Sequence, residues 1–343
     1  MKNIFKRVLT LSLAVLLVLG AFAGCGNTDD APATTTEPVV TQPPEEAKVL
    51  KVLTLGHSLG NDANHMLSLV AGAEGFTDLE VGYLYYSGCR LSQHINFMNE
   101  DSKVYTLYRS SAEKPNVAPQ ETKNVTMKDA LRADYWDIII MQDGVFEIAD
   151  ENCYTNGNRQ TVQNFVNEYK LNPTAYFAWN MTWVPPVDND LRNTSSEQNR
   201  ANYKKWYEPY GHDRATMYNA VCKAVENNIL TDDTIKFVIP SGTVMENALS
   251  SYLEEKDIHR DYVHASNMAR VMVSYLWYCK LAGIDKLEEI KLDTVPKHFL
   301  VGDAFLDLEL TDAQKDIILE AVNNALANPL QMTQSQYTQA PAQ

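Results

Sequence analysis

The sequence predicts an α/β fold in which helices cover both faces of a mainly parallel, five-stranded sheet, a three-layer α/β/α sandwich. Two observations support this class. Apolar runs rich in β-branched and aromatic residues recur along the chain with almost no polar interruption, as in parallel strands buried on both faces. Segments of helical periodicity alternate with them, as crossover connections require. The strands are expected at 51–56, 79–86, 136–142, 174–180 and 235–240.

The helices are expected between and after these strands. In the first, Met66, Leu69, Val70 and Ala73 follow the i, i+3, i+4, i+7 spacing of one helix face. The others are expected at 127–134, 158–170, 200–228, 241–254 and 268–282. Segment 103–126 alternates apolar and polar positions, which predicts a small β-hairpin outside the sheet. Residues 310–326 start with a capping box and carry an apolar stripe, which predicts an appended C-terminal helix.

The chain starts with a pattern typical of an exported lipoprotein. Cationic residues precede an apolar run over 8–23, and small residues lead directly to Cys25 in "AFAGC". The pattern predicts a signal peptide over 1–24, lipidation of Cys25 and anchoring to the outer face of a bacterial cell membrane. The alternative is a plain secretory signal followed by an unrelated cysteine. The Thr-, Pro- and acid-rich segment 25–47 predicts a disordered tether, 48–330 one domain, and 331–343 a disordered tail.

Composition narrows the function classes. The net charge is −15 and no basic stripe is present, which argues against a nucleic-acid partner. Beyond Cys25 the chain has four cysteines, Cys89, Cys153, Cys222 and Cys279. Their spacing allows three disulfide pairings or four free thiols, and the absence of a Cys-x-x-Cys pair argues against a zinc site. We therefore expect no metal site.

Ser58 lies where an α/β fold places ligands. It follows the first predicted strand, at the carboxyl edge of a parallel sheet, and a helix starts within a few residues. The unpaired N–H groups of a helix start favour negative charge, so a serine here can attack a carbonyl while nearby amides stabilise the oxyanion. The alternative is that Ser58 is an N-cap, a common role for serine.

A nucleophilic serine needs a base and a group that orients the base. Of the seven histidines, His264 has a carboxylate close by in sequence, because Asp261 precedes it by three residues, just before the helix at 268–282. One turn can aim both side chains at the same point. Asp-x-x-His also occurs as a simple cap or turn, so this pair alone does not establish catalysis.

Together these segments resemble the SGNH (GDSL-type) hydrolases, from about residue 51 to 283. Gly-x-Ser-Leu after the first strand and Asp-x-x-His before the last helix match the order of that family. Gly88 after the second strand matches its glycine block, and Gln142 after the third stands where the family usually has asparagine. The resemblance implies an SGNH/flavodoxin-like fold, a Ser58–His264–Asp261 triad, and an oxyanion hole formed by Ser58, Gly88 and Gln142, with no cofactor.

"SGCRLSQH" (87–94) and "PSGTVMENA" (240–248) resemble a less characterised branch of the family with glutamine in the third block. His57 stands where most members have aspartate, and we expect it to bind nearby backbone. His94 matches a position of the branch and is a candidate substrate contact. Asn180 and Trp183, which follow the fourth strand, are candidates for a sugar-binding cleft. For His94 the alternative is a position on the surface of a helix, and for Asn180 and Trp183 it is packing in the core and loops.

The sequence Gly60-Asn61-Asp62 is similar to the family's third block, Gly-x-Asn-Asp, but it follows the first strand and not the third. We interpret Asn61 and Asp62 as capping residues of the first helical turn. A metal site formed by His57, Asp62 and His65 is a weaker alternative, because the spacing fits no standard site.

The resemblance and the predicted location imply a serine esterase that deacylates acetylated or otherwise acylated glycans at the cell surface. The substrate is then a small acyl ester or an acylated glycan. The first alternative is a non-catalytic carbohydrate-binding lipoprotein on the same scaffold, since a fold alone does not establish chemistry. A metal-dependent phosphoesterase is the second.

Overall fold

A computed structural model describes residues 48–145, 147–187, 205–291, 298–301, 304–307 and 309–341. The chain divides into two units, 1–46 and 47–343, and all described residues belong to the second. The predicted signal peptide, the lipidated Cys25 and the tether therefore lie outside the described residues. None of the helices within the described ranges is long and apolar enough to cross a membrane.

A seven-stranded sheet forms the middle layer, with the strand order β4-β3-β2-β1-β5-β6-β7. The five strands β2, β1, β5, β6 and β7 are parallel, which confirms the predicted class. The strands are β1 (Leu50–Gly56), β2 (Leu79–Tyr85), β3 (Tyr105–Ser111), β4 (Gln120–Val125), β5 (Ile138–Met141), β6 (Tyr176–Asn180) and β7 (Ile235–Ile239).

The hairpin predicted outside the sheet instead extends it. Strand β3 pairs antiparallel with β2, from Glu80 opposite Ser111 to Tyr85 opposite Thr106, and β4 pairs antiparallel with β3. Tyr105 and Leu107 are buried on one face. The hairpin therefore covers the edge of β2. Its apolar face is packed in the core, and Thr106, Tyr108 and Ser110 on the other face of β3 are half-buried. The alternating pattern was read correctly as a hairpin, but its position was wrong.

The helices are α1 (Ser58–Ala73), α2 (Leu91–Asn99), α3 (Met127–Arg132), α4 (Glu151–Thr155), α5 (Asn158–Tyr169), α6 (Arg214–Asn228), α7 (Ser241–Leu249), α8 (Glu255–Ile258), α9 (Asn267–Ala282) and α10 (Asp312–Ala327). Helix α2 and the short α4 and α8 were not predicted. A two-stranded hairpin, β8 (His298–Val301) and β9 (Ala304–Asp307), precedes α10 and was also not predicted.

Each face of the sheet has its own apolar core. Val52 and Ile138 point to the layer that contains α1, α7, α9 and α10. Their neighbours Leu53 and Ile139 point to the layer that contains α2, α3, α5 and α6. This alternation along adjacent strands gives the predicted three layers, because successive side chains of a strand point to opposite faces.

The C-terminal segment packs on the domain. Helix α10 begins at the predicted capping box, where Thr311 accepts from the Gln314 backbone N–H. Beyond the helix, the Thr333 N–H donates to Asn247 Oδ1 at 2.7 Å and the Tyr252 N–H donates to the Tyr337 carbonyl at 2.8 Å. Residues 331–343 were expected to be a disordered tail. For the described part, 331–341, this was wrong, because groups on and just after α7 hydrogen-bond to its backbone.

The four cysteines of this unit, Cys89, Cys153, Cys222 and Cys279, are free thiols. Burial raises the pKa of Cys89 to about 12, so this thiol stays protonated at neutral pH. None of the three disulfide pairings that the sequence allows is formed.

Candidate active site

His57, and not Ser58, caps the first helix. Strand β1 ends at Gly56, His57 adopts an extended conformation, and its Nδ1 accepts from the Leu59 N–H at 3.4 Å. Ser58 is the first residue of α1 and is half-buried. Because another residue caps the helix, the N-cap interpretation of Ser58 does not hold. In the described part of the chain its hydroxyl donates no hydrogen bond.

The ring of His57 is neutral and fastens the turn that carries Ser58. Since Nδ1 accepts a hydrogen bond, Nε2 carries the proton, and it donates to the Asp143 carbonyl at 2.8 Å. Complete burial lowers the pKa of His57 to about 4. The Tyr83 hydroxyl donates to the His57 carbonyl. His57 thus binds nearby backbone, as expected, and joins the loop after β1 to the loop after β5.

We expect the free energy of unfolding to fall between pH 7 and pH 4. Burial lowers the pKa of His57 from 6.5 to about 4 and that of His94 to about 3. In this window the unfolded chain binds protons at these rings and the folded chain does not, so acid favours unfolding. The difference for His57 alone corresponds to about 3 kcal/mol once the pH is below about 4. Urea denaturation at several pH values measures the slope.

His57→Asn serves as the comparison for this experiment, because asparagine keeps a capping acceptor and removes the titrating ring. The variant should be less stable at pH 7 but lose less additional stability on acidification. A free energy of unfolding that is equal at pH 5 and pH 7 in the unchanged protein would contradict the prediction.

The loop after β2 contributes the backbone of Gly88. This residue is exposed and has φ of +62°, and a side chain placed there would meet nothing within 4 Å. Glycine is therefore favoured here by the left-handed backbone, and not by a close neighbour. Asp143 Oδ1 accepts from the Leu91 N–H at 3.1 Å and from the Gly144 N–H at 2.8 Å. The Asp143 carboxylate thus joins the loop that contains Gly88 to the loop after β5, directly after Gln142.

A chain of buried hydrogen bonds orients the Gln142 amide. Gln142 Oε1 accepts from Asn180 Nδ2 at 2.8 Å, and Asn180 Oδ1 accepts from the Ser241 hydroxyl at 2.7 Å. Ser241 in turn accepts from the Trp277 indole N–H at 3.0 Å. An indole N–H can only donate. The Ser241 hydroxyl therefore accepts from Trp277 and donates to Asn180, and Asn180 donates to Gln142. The Nε2 of Gln142 remains as a buried donor that has no hydrogen-bond partner among the described residues.

Two glycines make room for this amide under the turn that carries Ser58. A Cβ on Gly56 would lie 2.7 Å from Gln142 Nε2, and a Cβ on Gly60 would lie 2.8 Å from Oε1. Real Cβ atoms do not approach so closely, so a side chain at either position would displace the Gln142 amide. The Gln142 amide therefore lies directly against both ends of the Gly56–Gly60 turn.

Asp261 and His264 form a hydrogen-bonded pair. His264 Nδ1 lies 2.8 Å from Asp261 Oδ2 and 3.0 Å from Oδ1. Burial acts to raise the pKa of Asp261, but the hydrogen bonds and charge of His264, with the Val263 N–H, outweigh it and hold the pKa at about 2. The carboxylate is therefore ionised at neutral pH and fixes the proton of His264 on Nδ1. This leaves Nε2 as the ring nitrogen able to accept a proton.

Hydrogen bonds within the loop 259–266, and one from a side chain outside it, hold the loop that carries this pair. Asp261 Oδ1 accepts from the N–H groups of Val263 and His264, both at 2.9 Å. The Arg260 N–H donates to the His264 carbonyl at 3.0 Å. From the segment after β6, the Trp183 indole N–H donates to the Val263 carbonyl at 2.8 Å. We call residues 259–266 the base loop.

Asp62 joins the base loop to helix α1. Its Oδ2 accepts from the Ala265 N–H at 2.9 Å, directly after His264. Asp62 is one helical turn after Ser58, so both side chains lie on the same face of α1. The interpretation of Asp62 as a capping residue was wrong, because its carboxylate is 2% exposed and binds a segment about 200 residues away. In the described structure Ser58 and His264 do not hydrogen-bond directly.

Three expected substrate contacts lie in the interior. His94 is fully buried, and its Nδ1 lies 2.8 Å from the Tyr105 hydroxyl. Asn180 is buried in the chain that orients Gln142, and Trp183 is fully buried against the base loop. A ligand cannot touch these side chains in this structure. Core packing, the alternative for Asn180 and Trp183, describes those two better, and the helix-surface alternative for His94 was also wrong because its ring is buried. Asn180 instead orients Gln142, and Trp183 hydrogen-bonds to the base loop.

The weaker metal interpretation loses two of its three ligands. Both nitrogens of His57 are engaged by backbone groups, and Asp62 binds the base loop. Among the described residues, no group of three or more His, Cys, Asp or Glu side chains is arranged to hold a metal ion.

Several residues that shape the site were not singled out in the sequence. Ser241, within the 240–248 segment that resembles the branch, and Trp277 orient Gln142 through Asn180. Arg260 and Arg270 bind Asp62. A charged residue at a position that otherwise faces the core is the signal that identifies Asp62 and Arg270, since such residues are rarely buried unless they are paired.

Comparison with known proteins places this chain in a family. None of the curated proteins matches it. A crystal structure of a DUF4886 family protein from Bacteroides uniformis ATCC 8492 is similar, with 21% identity and a TM-score of 0.68, over 84% of this chain and 99% of that one. At that identity, the likeness shows a shared fold.

A protein from Slackia heliotrinireducens described as a candidate SGNH hydrolase has 17% identity and a TM-score of 0.38, over 67% of this chain and 98% of that one. The model of DUF4886, a domain of unknown function, matches residues 51–298, which include every residue of the candidate site. The chain belongs to the DUF4886 family.

Proposed function

We propose that this protein is a serine esterase that acts by acyl transfer, with Ser58 as nucleophile, His264 as base and Asp261 as the group that orients it. One observation carries the proposal. The Asp261–His264 pair is formed, and Asp62 fastens the loop that carries it to the helix that begins at Ser58. An ionised carboxylate, an imidazole and a half-buried serine at a helix start are the parts that ester hydrolysis needs.

In the first half of the reaction, the Ser58 oxygen attacks the ester carbonyl while His264 Nε2 takes its proton. The tetrahedral intermediate collapses, His264 gives the proton to the leaving alcohol, and the acyl group stays on Ser58. In the second half, water attacks the acyl-enzyme and His264 takes its proton and returns it to Ser58, releasing the acid. Ser58 and His264 need to approach each other for the first step, and such contacts often tighten only when substrate binds.

The oxyanion needs donors that are fixed before the reaction. The backbone N–H groups of Ser58 and Gly88 have no acceptor among the described residues, and Ser58 is at the positive end of α1. Gln142 Nε2 is the third donor in this proposal. No described residue accepts a hydrogen bond from it, and a carbonyl oxygen of the substrate would satisfy it. Reaching it requires a small opening of the Ser58 turn when substrate binds.

The proposed substrates are small acyl esters, including acetylated or otherwise acylated glycans. This part of the proposal rests on the SGNH resemblance and on the predicted export of the chain with a lipid anchor on Cys25. No side chain of the described site identifies the acyl group or the alcohol.

Covalent labelling tests the proposal without knowledge of the natural substrate. The protein is treated with a fluorophosphonate, digested, and the modified serine is mapped by mass spectrometry. We expect a single adduct on Ser58, with hydrolysis of p-nitrophenyl acetate lost in step with labelling. An adduct on another serine, with turnover lost, would assign the nucleophile elsewhere and end the proposal for Ser58.

The second candidate function is carbohydrate binding without catalysis. It is favoured by the lack of a direct Ser58–His264 hydrogen bond in the described structure. A binding protein would show no covalent adduct and no turnover, and its affinity for glycans would be unchanged by Ser58→Ala. The same labelling experiment therefore separates the two functions.

A further inference from the structure

We propose that Asp62 is a positioning residue that sets the distance between the nucleophile and the base. The inference rests on the proposed function and adds a residue that the triad does not include. Asp62 and Ser58 share one face of α1, and Asp62 Oδ2 accepts from the Ala265 N–H at 2.9 Å. The peptide next to His264 is thus bound one helical turn below the nucleophile.

Two arginines complete the attachment. Arg260 Nη1 and Arg270 Nε each lie 2.8 Å from Asp62 Oδ1, and Asp62 is 2% exposed. Arg260 Nη1 also donates to the Ala265 carbonyl, so the peptide group on each side of Ala265 is fixed. A buried carboxylate that accepts three hydrogen bonds has little freedom to move, and charged hydrogen bonds of this kind are the strong ones.

All three donors come from one stretch of chain, residues 260–270, which contains His264. The base loop is already held internally by Asp261 and by the bridge between His259 and Ala265. Helix α1 is rigid in itself. Asp62 therefore fixes the position of the base loop relative to helix α1. Proton transfer from Ser58 to His264 depends on this relative position.

Asp62→Asn tests this with little change in size. The amide has one acceptor where the carboxylate has two, and its NH₂ group faces donors from Ala265 or the arginines. A shift of about 1 Å in a catalytic group can cost about 100-fold in rate. We expect kcat for p-nitrophenyl acetate to fall about 100-fold, with KM nearly unchanged, at a temperature where the variant is folded.

Asp232→Asn is the matched control. Asp232 makes an ion pair with Arg159, 3.0 Å from Nη2, just before the start of β7 and therefore at the edge of the sheet opposite to the candidate site. It should lose stability and keep kcat. Arg270→Lys is the milder second variant, because lysine keeps the charge but not the planar fork. It should lower kcat by about tenfold, and it keeps the test valid if Asp62→Asn does not fold.

Carbethoxylation of His264, followed by mass spectrometry, reports on the base loop independently of turnover. We expect His264 to react several times faster in Asp62→Asn than in the unchanged protein, and Asp232→Asn to leave the rate unchanged. If the unchanged protein shows neither fluorophosphonate labelling nor turnover, the esterase proposal fails, and a rise of His264 reactivity in Asp62→Asn then shows only that Asp62 holds the base loop against α1. If the protein turns over and Asp62→Asn matches Asp232→Asn in kcat and His264 reactivity, the positioning role is overturned.

Discussion

Ser58→Ala and His264→Ala should each reduce ester turnover to the uncatalysed background. Removing the hydroxyl deletes the atom that forms the acyl-enzyme, and removing the imidazole leaves the hydroxyl protonated at neutral pH. Triad residues act as a unit, so each single loss is expected to cost about 10⁴-fold or more in kcat, and the double variant little more than either one. Initial rates with p-nitrophenyl acetate measure this, at enzyme concentrations high enough to detect a residual rate.

Two control variants separate chemistry from folding. Ser68 lies on the same helix as Ser58, is buried, and hydrogen-bonds to Ser110. Ser68→Ala therefore disturbs α1 without touching the proposed nucleophile and should keep kcat. His212→Asn changes an exposed histidine with positive φ, which asparagine tolerates. Substantial turnover that survives both Ser58→Ala and His264→Ala would refute the proposed triad.

Gln142→Ala should lower kcat by about 100-fold or more with a much smaller change in KM. The proposed role of its Nε2 is to donate to an oxygen that carries full charge only in the transition state, and such a donor acts on kcat. Asn180→Asp is the companion variant. A carboxylate cannot donate to Gln142 Oε1, so the Gln142 amide turns its NH₂ group toward residue 180 and presents oxygen to the oxyanion site. A loss similar to that of Gln142→Ala is expected.

Gln163→Ala controls for the loss of a buried glutamine. Gln163 is 1% exposed, and its Nε2 donates to Thr234 Oγ1 at 2.8 Å, away from the candidate site. It should lose stability comparable to that of Gln142→Ala and keep kcat. If Gln142→Ala and Gln163→Ala have equal kcat when both are folded, Gln142 supports the Ser58 turn and does not stabilise the oxyanion.

The fold class and the separate parts of the proposed triad are predictable from sequence because each depends on a local pattern, whereas only the resemblance to the SGNH hydrolases joins Ser58 to the Asp261–His264 pair. Buried parallel strands need long apolar runs whatever surrounds them, and all five were placed within about two residues. Asp261 and His264 are three residues apart, so one turn brings them together. The strand–helix junction at Ser58 is likewise a local signal, since the chain changes its hydrophobic period there.

The edge hairpin and the C-terminal tail were misplaced because their positions depend on partners far away in sequence. The hairpin at 105–125 pairs with β2, and nothing in its own alternation selects an edge of the sheet over solvent. The tail at 331–341 is polar, but the side chains of Asn247 and Ser250 on or next to α7 bind its backbone. Composition reports low hydrophobicity and cannot report a polar partner.

The sequence alone determined the α/β class, the order of the strands with their helices, and the residues proposed for the chemistry. The tertiary structure alone decided which buried polar groups support them: His57 as the cap that leaves Ser58 free, Asn180 as the residue that orients Gln142, and Asp62 as the contact between α1 and the base loop. The physical reason is the same for all three. A polar side chain in the interior is determined by the partners that satisfy it, and those partners come together only when distant segments of the chain pack.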